Sequence, residues 1–346
     1  MTPGSRILFV KLAALGDVAM ASAFAEAVKA RDPEARVTWL CGRRVADLVR
    51  LFPSVDEVLT VDEAALLTGS PARRAGALWA GWRALLGRRF DRIVVGHADR
   101  RYDVVAWTAR GPRRALRRGA DGRAMPVRGR WFADEHARLA DDGPDTGPRV
   151  RSATMSDLRG RVPRAVDALP ALGGRAYAVL VPGGARNALR ETPQRRWPID
   201  RYVAIAHRVA EAGLAPVLLG DGHDRALLPA FDGVPHVVDA LGVLPLPAAL
   251  GVLESATVVV SHDTGPLHLA RLVRAPTVAL FGPTAPADFL REDDSTIVLW
   301  GGGRLACRPC YDGREVAPCA NNLCMQDVTV DDVTAAIDRL RASRAP

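Results

Sequence analysis

Short runs rich in Val, Ile and Leu alternate with longer helix-period segments along most of this chain. The pattern begins with RILFV (residues 6–10), continues with GDVAMASAFAEAVKAR (16–31) and then gives RVTWL (36–40). A strand, a helix and a second strand in this order are typical of a βαβ unit with parallel strands. The alternation therefore predicts an α/β protein built on parallel sheets.

The alternation runs in two successive series. In the first, VDEVLTV (55–61) and RIVVG (92–96) are also predicted strands. The second series has helices near 200–213 and at 246–256, and five predicted strands: YAVLVPGG (177–184), APVLLGDG (215–222), HVVDA (236–240), TVVVS (257–261) and PTVALFG (276–282). We expect two Rossmann-like doubly wound domains, 1–172 and 173–346, which face each other across a ligand-binding cleft. The final helix could pack back on the N-terminal domain.

The residues between the two series differ in composition. The stretch 111–175 is richer in Gly, Pro, Asp and Arg, which predicts loops, two short helices and the interdomain linker. Its arginine cluster GPRRALRRGADGR (111–123) is interpreted as a solvated face, or alternatively as a patch that meets an acceptor or a membrane surface. The cluster contains no aromatic residue, which argues against nucleic-acid binding.

The overall charge indicates which chemical class of partner to expect. A net charge of +8 indicates anionic partners such as a phosphorylated glycolipid or a nucleotide. No apolar run approaches the roughly 20 residues that a membrane-spanning helix needs. We therefore expect a cytoplasmic protein, with peripheral contact to the anionic inner-membrane surface as a further option.

The segment TVVVSHDTGPLHLA (257–270) predicts a strand, a turn and a helix. Asp263 is expected at the N-cap, followed by Thr264 and Gly265, so that unpaired backbone N–H groups and the positive end of the helix dipole meet a ligand. Such an end favours an anion, typically a diphosphate, and His268 lies one turn further on. The alternative is that Asp263 only caps the helix.

A second polar turn, FVKLAALGDV (9–18), follows the first strand. It supplies a single glycine before the helix, so it lacks the spaced glycines of a dinucleotide-binding fingerprint. Asp17 is a carboxylate that could take a proton from an incoming hydroxyl. Helix capping is the equally weighted alternative.

Two more strand ends in the second series carry polar groups. VPGGARNALRETPQRRWPIDRY (181–202) has a glycine pair that includes Gly183, and then Arg195 and Arg196, whose planar guanidinium groups suit phosphate oxygens. LLGDGHDRA (218–226) supplies Asp221 and Asp224, which could accept ribose hydroxyls or simply cap a helix.

These segments, in this order, resemble glycosyltransferase family 9, the heptosyltransferase family. The resemblance covers most of the chain: ILFVKLAALGDV, VPGGA through RRWPIDRY, LLGDGHD, VSHDTGPLHLARLVRAPTVALFGPT and CRPCYDG. It implies a GT-B fold, an inverting mechanism and an ADP-activated heptose as donor. The acceptor would be a hydroxylated glycan such as the lipopolysaccharide core, a glycolipid or a small molecule, with 97–160 shaping its side of the site.

The resemblance also assigns roles to residues. It implies that Asp17 is the catalytic base, and that Arg195 stands beside the donor diphosphate where members commonly have lysine. It implies that Asp224 contacts the ribose and that Asp263 grips the donor sugar. The remaining donor-binding groups would be Thr264, Gly265 and His268.

Cysteines are concentrated near the C-terminus. Cys307, Cys310, Cys319 and Cys324 have the spacing C-x2-C-x8-C-x4-C, which suits a structural zinc or iron bound by four thiolates. Free, packed thiols are the alternative, and Cys41 is expected in the core. Distant family members from autotransporter systems hold iron in such a site. No Asp-x-Asp triplet occurs, so we expect catalysis to need no cofactor.

Two other functions remain open. A non-catalytic scaffold could keep the nucleotide pocket without turnover. A dinucleotide-dependent oxidoreductase would share the architecture, although the missing glycine spacing disfavours it.

Overall fold

The computed structural model describes residues 3–97, 100–115, 129–141, 153–187, 189–313 and 315–343. The chain divides into two compact units, Met1–Ser156 and Asp157–Pro346. This division precedes the expected boundary at 172 because the residues that follow Ser156 pack on the second unit. There the Leu158 N–H donates to the carbonyl of Leu272 at 2.8 Å.

The first unit is a parallel sheet with helices packed against it. Among its described residues the strand order is β3-β2-β1-β4-β5. The strands are β1 (Arg6–Val10), β2 (Arg36–Gly42), β3 (Glu57–Val61), β4 (Arg92–Val95) and β5 (Arg113–Ala115). The helices are α1 (Leu15–Arg31), α2 (Ala46–Val49), α3 (Glu63–Thr68), α4 (Pro71–Leu85) and α5 (Phe132–Arg138). The four predicted strands are confirmed, whereas β5 lies in a segment that predicted loops.

The central strand of this sheet is buried on both faces. Leu8 and Val10 join a core with Leu40 and Ile93. On the opposite face Phe9 stacks on Phe24 of α1, with ring centroids 4.2 Å apart. Burial of both faces explains why β1 reads as a continuous apolar run instead of an alternating one.

The second unit repeats this plan with six parallel strands, in the order β11-β10-β9-β6-β7-β8. The strands are β6 (Tyr177–Val181), β7 (Ala215–Gly220), β8 (Val238–Leu241), β9 (Val258–His262), β10 (Thr277–Phe281) and β11 (Thr296–Trp300). The helices are α6 (Ala165–Ala168), α7 (Ile199–Glu211), α8 (Leu246–Glu254), α9 (Gly265–Leu272), α10 (Pro286–Phe289), α11 (Leu323–Gln326) and α12 (Val330–Ala342). Gly222–Phe231 forms a 3₁₀ helix. The predicted strands are confirmed, and β11 is additional.

The final helix packs on its own unit. Val333, Ile337 and Leu340 of α12 lie in one core with residues of α7, β9 and β10. We had expected this helix to be able to pack back on the first domain, but its apolar face is buried against the second sheet.

Strand order fixes the position of the polar turns in the second unit. β6 pairs with β9, with Val181 opposite Ser261, and with β7 on its other side. The connections leave β6 and β9 in opposite directions, which makes their carboxyl ends a topological switch point. The turns that follow these two strands therefore lie side by side. Among the described residues, no helix is long and apolar enough to cross a membrane.

Candidate functional site

The turn after β6 is held by two side chains from other strand ends. A carbon added at Gly183 would lie 2.2 Å from Cγ of Asp224, so only glycine fits there. Gly184 has φ +80°, and its N–H donates to Asp224 Oδ1 at 3.0 Å. The next N–H, of Ala185, donates to Thr264 Oγ1 at 2.8 Å. The backbone of this turn is thus fixed between the ends of β7 and β9.

The N-cap of α9 is Thr264, with φ −152° and ψ 174°, and not Asp263 as the sequence predicted. The prediction was wrong because β9 extends through His262, so Asp263 lies inside the turn and only 2% of it is exposed. The Thr264 hydroxyl accepts a hydrogen bond from the Ala185 N–H in the turn after β6, and it accepts none from a backbone N–H of α9.

Asp263 is the centre of a buried polar cluster. Its Oδ2 accepts a hydrogen bond from the Thr284 hydroxyl at 2.7 Å and lies 3.3 Å from Arg195 Nη1. His268 Nε2 is 3.9 Å from Oδ1. Burial raises the pKa of the Asp263 carboxyl, but Arg195 and then His268 lower it more, to about 2. The carboxylate is therefore ionised at neutral pH. The structure brings together three of the residues predicted to bind a donor.

The two neighbouring arginines have different surroundings. Arg195 lies over the ring of Tyr311, 4.9 Å from its centroid, and its buried Nε has no hydrogen-bond partner in the described structure. Arg196 instead donates to the carbonyl of Gly184 at 2.8 and 3.0 Å and pairs with Glu191. Arg195 is thus the arginine at the Asp263 cluster, and Arg196 braces the turn after β6.

Asp224 also braces this turn. It is buried, and its two oxygens accept from the backbone N–H groups of Gly184 and Asp221. The second of these bonds starts the 3₁₀ helix Gly222–Phe231. The sequence leaves two interpretations of Asp224 open, as a ligand-binding group or as a cap. In the structure Asp221 is the N-cap, and Asp224 is its capping-box partner, which also fixes Gly184.

In the first unit, Asp17 lies in the first turn of α1 with its side chain 41% exposed. Lys11, at the end of β1, reaches it with Nζ 3.3 Å from Oδ2, although the Lys11 side chain is only 3% exposed. Sequence reasoning singled out Asp17 and missed Lys11. The missed signal was a lysine directly after an apolar strand, where the chain has to pair or expose the charge.

Two neutral histidines lie near this lysine. His97 Nε2 accepts the N–H of Leu12 at 2.9 Å, and its ring stacks on Tyr102 with centroids 3.7 Å apart. Burial, followed by the charge of Lys11, holds the pKa of His97 and His136 well below the usual range. The end of β1 thus carries one buried cation beside an accessible carboxylate.

Comparison with known proteins identifies the family. Residues 150–320 match the family model described as glycosyltransferase family 9 (heptosyltransferase). The chain belongs to glycosyltransferase family 9. It is 33% identical over 101 residues to lipooligosaccharide heptosyltransferase 2 of Haemophilus influenzae, and this match spans 27% of the chain and 29% of that relative. It is 23% identical over 307 residues to lipopolysaccharide heptosyltransferase 2 of Salmonella typhimurium, spanning 81% and 84%.

Solved structures show the same fold. The chain superposes on Escherichia coli ADP-heptose lipopolysaccharide heptosyltransferase II with a TM-score of 0.73 and 17% identity, covering 98% of this chain and 99% of that one. The predicted GT-B class of two parallel-sheet α/β domains is confirmed. The matches to the first curated relatives span less than half of each relative's own length.

The four cysteines of the C-terminal segment, Cys307, Cys310, Cys319 and Cys324, are free thiols in the described structure. Cys319 Sγ accepts the N–H of Asn322 at 3.2 Å, and burial raises the pKa of Cys310 and Cys324. Within the part of the chain that the structure describes, no group of three or more His, Cys, Asp or Glu is arranged to hold a metal ion. An iron-containing dodecameric glycosyltransferase from enterotoxigenic E. coli shares the fold at a TM-score of 0.60 and 14% identity, covering 100% of this chain and 78% of that one.

Two further predictions have different outcomes. Cys41 is buried in the first core, as expected, and burial raises the pKa of its thiol to about 12. Most of the arginine cluster 111–123 lies outside the described residues, which end at 115 before that gap.

Proposed function

We propose that the protein is an inverting, metal-independent glycosyltransferase that moves a heptose or related sugar from an ADP-sugar to a hydroxyl group. The buried pair of Arg195 and Asp263, beside Thr264 at the start of α9, carries this proposal. A planar guanidinium and the positive end of a helix are complementary to a diphosphate. The names of the relatives, which are heptosyltransferases, support the sugar and the nucleotide.

The reaction needs one proton acceptor and one group that stabilises the departing charge. The acceptor oxygen attacks the anomeric carbon as the bond from that carbon to the phosphate oxygen breaks, and the bonding electrons leave with ADP. Asp17 takes the hydroxyl proton. Arg195 and the start of α9 stabilise the diphosphate charge that develops, a kind of electrostatic contribution that is worth about 10²- to 10³-fold per donor group.

The contacts of the remaining predicted residues support a proposed role for each. Asp263, held by Thr284 and Arg195, would accept hydroxyl groups of the sugar, with His268 beside it. Gly183, Thr264 and Gly265 shape the backbone next to the phosphates. Asp224 and Arg196 affect the donor through the turn after β6, which they hold in place. We therefore do not propose the direct contact between Asp224 and the ribose that the family resemblance implies.

The acceptor side is proposed in coarser terms. A hydroxylated glycan or glycolipid of the kind that the relatives' names print is consistent with a net charge of +8. We propose that the protein meets this acceptor at an anionic membrane surface.

A donor screen followed by an Asp17 variant tests the proposal. Thermal shift with ADP-, GDP- and UDP-sugars should show the largest stabilisation for ADP-heptose, about 2.7 kcal/mol at 100 times the dissociation constant. Asp17→Asn should abolish transfer and keep this shift, and the matched variant Asp47→Asn, in the first turn of α2, should keep both. A larger shift with UDP-sugars would overturn the donor, and tight ADP-heptose binding without transfer to any acceptor would indicate a non-catalytic scaffold.

The structural zinc or iron at the four cysteines stays a prediction, and no step of the reaction depends on it. Elemental analysis of the purified chain and of Cys310→Ser with Cys324→Ser tests it. Zinc or iron near one equivalent in the parent chain, lost in the double variant, would support the site. Equal, low metal content in both would leave four free thiols.

A further inference from the structure

We infer that the outer face of α4, together with the adjoining segment 104–115, is the surface with which this protein docks on an anionic lipid bilayer. The inference extends the proposed membrane contact by naming the surface. It does not depend on the identity of the donor.

The first observation is a group of large apolar side chains that are exposed to solvent. Trp79 of α4 is 65% exposed, Leu86 just after α4 is 69% exposed, and Trp107 is 70% exposed. Trp79 and Leu86 are seven residues apart, so they lie on the same side of the helix. Tryptophan has a large apolar body and a polar N–H, and it is enriched where protein meets the lipid headgroup layer.

Hydrogen bonds join the two segments into one surface. Trp82 Nε1 donates to the carbonyl of Val104 at 2.7 Å, and the Thr108 hydroxyl donates to the carbonyl of Trp82 at 2.7 Å. Trp107 lies between these two anchored residues. The exposed tryptophans of α4 and of 104–115 therefore belong to one neighbourhood that is fixed in the folded first unit.

The second observation is the charge around these side chains. Residues 69–90 and 104–115 contain no Asp or Glu, and they carry arginines at 73, 74, 83, 88, 89, 110, 113 and 114. Arg73, Arg74 and Arg83 are exposed, and none of them pairs with a carboxylate of the described residues. A basic surface with exposed tryptophan and leucine is typical of an interfacial membrane contact.

The same charge pattern argues against a second copy of the chain as the occupant. In a twofold-symmetric dimer this face would meet itself, which would bring Arg73, Arg74 and Arg83 close to their copies without a carboxylate from 69–90 or 104–115 to compensate them. An anionic lipid surface neutralises the arginines and accepts the tryptophan and leucine side chains at the same time. Charge complementarity therefore favours the bilayer.

Vesicle flotation tests the inference with the full chain. We expect the protein to float with vesicles of phosphatidylglycerol and phosphatidylcholine, to stay behind with phosphatidylcholine alone, and to be released by high salt. The variant Trp79→Ala with Trp107→Ala should lower partitioning about tenfold. Arg73→Gln with Arg74→Gln should lower it about 25-fold, since each basic residue near the surface contributes about 1 kcal/mol, or about fivefold.

Matched variants control for composition and folding. Val166→Ala with Val243→Ala removes exposed apolar groups from the second unit, and Arg36→Gln with Arg339→Gln removes exposed charges elsewhere. Both should float like the parent, and all variants should keep its thermal midpoint and its ADP-heptose thermal shift. If the donor assignment is wrong, the parent chain will not show the expected thermal shift with ADP-heptose, but its flotation with vesicles will be unaffected.

Three results would overturn the inference. One is equal flotation of the tryptophan variant, the arginine variant and the parent. Another is a parent dimer in light scattering that the tryptophan variant dissociates while neither protein floats, which would make this face an interface between copies. The third is salt-sensitive binding to RNA or duplex DNA through these arginines without flotation.

Discussion

Arg195 and Asp263 form a buried ion pair in the second unit, with Nη1 of the arginine 3.3 Å from Oδ2 of the aspartate. Burial is the largest single influence and works against the charged carboxylate, but Arg195, His268 and Thr284 together outweigh it, and the pKa of Asp263 is about 2, below its usual value of 3.8. The unfolded chain therefore takes up this proton at a higher pH than the folded chain. The stabilisation is complete above about pH 4 and is lost as the pH falls towards about 2.

From this pair we predict that Asp263→Asn loses the corresponding acid dependence. A pKa difference of nearly two units corresponds to roughly 2–3 kcal/mol of unfolding free energy. At neutral pH the variant should be less stable by about 3 kcal/mol, because Arg195 would be left buried without its counterion. Urea unfolding across the acid range measures both effects. Asp331→Asn, at the exposed start of α12, is the control, and identical curves for the two variants would contradict the prediction.

The ring of Tyr311 should matter for donor binding through Arg195. The guanidinium lies 4.9 Å from the centroid of this ring, a cation–π contact worth about 0.5–2 kcal/mol. Tyr311→Ala should weaken ADP-heptose binding by about three- to tenfold, because the guanidinium loses the surface that fixes its plane. Tyr311→Phe keeps the ring and loses only the hydroxyl bond to the carbonyl of Gly313. It should bind like the parent in calorimetry, and a loss as large as that of Tyr311→Ala would rule out the ring contact.

Gly183→Ala should displace the turn after β6. The added methyl group would lie 2.2 Å from Cγ of Asp224, which is itself held by backbone N–H groups and cannot move away. We expect a loss of 1–3 kcal/mol of stability and of most donor binding. Gly222→Ala is a matched control, since its added carbon meets no atom within 4 Å. Thermal melts with and without ADP-heptose compare the two, and unimpaired donor binding in Gly183→Ala would remove this turn from the proposed site.

Most of the sheet strands were predictable because burial on both faces makes them read as apolar runs. RILFV and TVVVS are examples, and both are central strands. β5 was not predictable, since Arg113–Ala115 carries two arginines and is a strand only through its pairing with β4. TIVLW (296–300) is rich in β-branched residues, and its pattern should have predicted β11.

The candidate site was predictable in its residues but not in its contacts. Asp263 stands out as a polar group directly after a strand, and Arg195 as part of an arginine pair, but the sequence does not show that the folded second unit pairs them. The N-cap was misplaced by one residue because the end of β9 depends on its pairing with β10, where His262 lies opposite Leu280. Lys11 was missed because its role depends on a carboxylate one turn into α1.

The chain has two lysines, and we expect only one of them to affect catalysis. Lys11→Met removes the cation that lies 3.3 Å from Asp17, while methionine fills the buried volume. The turnover number should fall about ten- to hundredfold, because Asp17 would lose part of the rate enhancement that a positioned base contributes. The donor KM should be unchanged. Lys29 pairs with the partly exposed Asp56, so Lys29→Met should cost at most about 1 kcal/mol of stability and keep turnover. Equal turnover in both variants would show that Lys11 does not position Asp17.

His136 should make the first unit sensitive to acid. The ring is fully buried, and neither of its nitrogens has a hydrogen-bond partner in the described structure. Burial, and then the charge of Lys11, holds its pKa well below 6.5. Below about pH 6.5 the unfolded chain binds a proton that the folded chain does not bind, so stability must fall as the pH falls.

His136→Phe removes this proton-linked loss. A phenyl ring can pack against Phe132 and Phe9, whose centroids lie 5.2 and 6.3 Å from the imidazole, and it leaves no buried polar atom unpaired. We expect a gain of about 1–3 kcal/mol that grows as the pH falls below about 6.5. Urea unfolding at several pH values gives the slope, with His207→Phe on the exposed side of α7 as the control. A slope as steep in His136→Phe as in the parent would assign the acid sensitivity to other buried groups, of which His97, bound to the Leu12 N–H, is the nearest candidate.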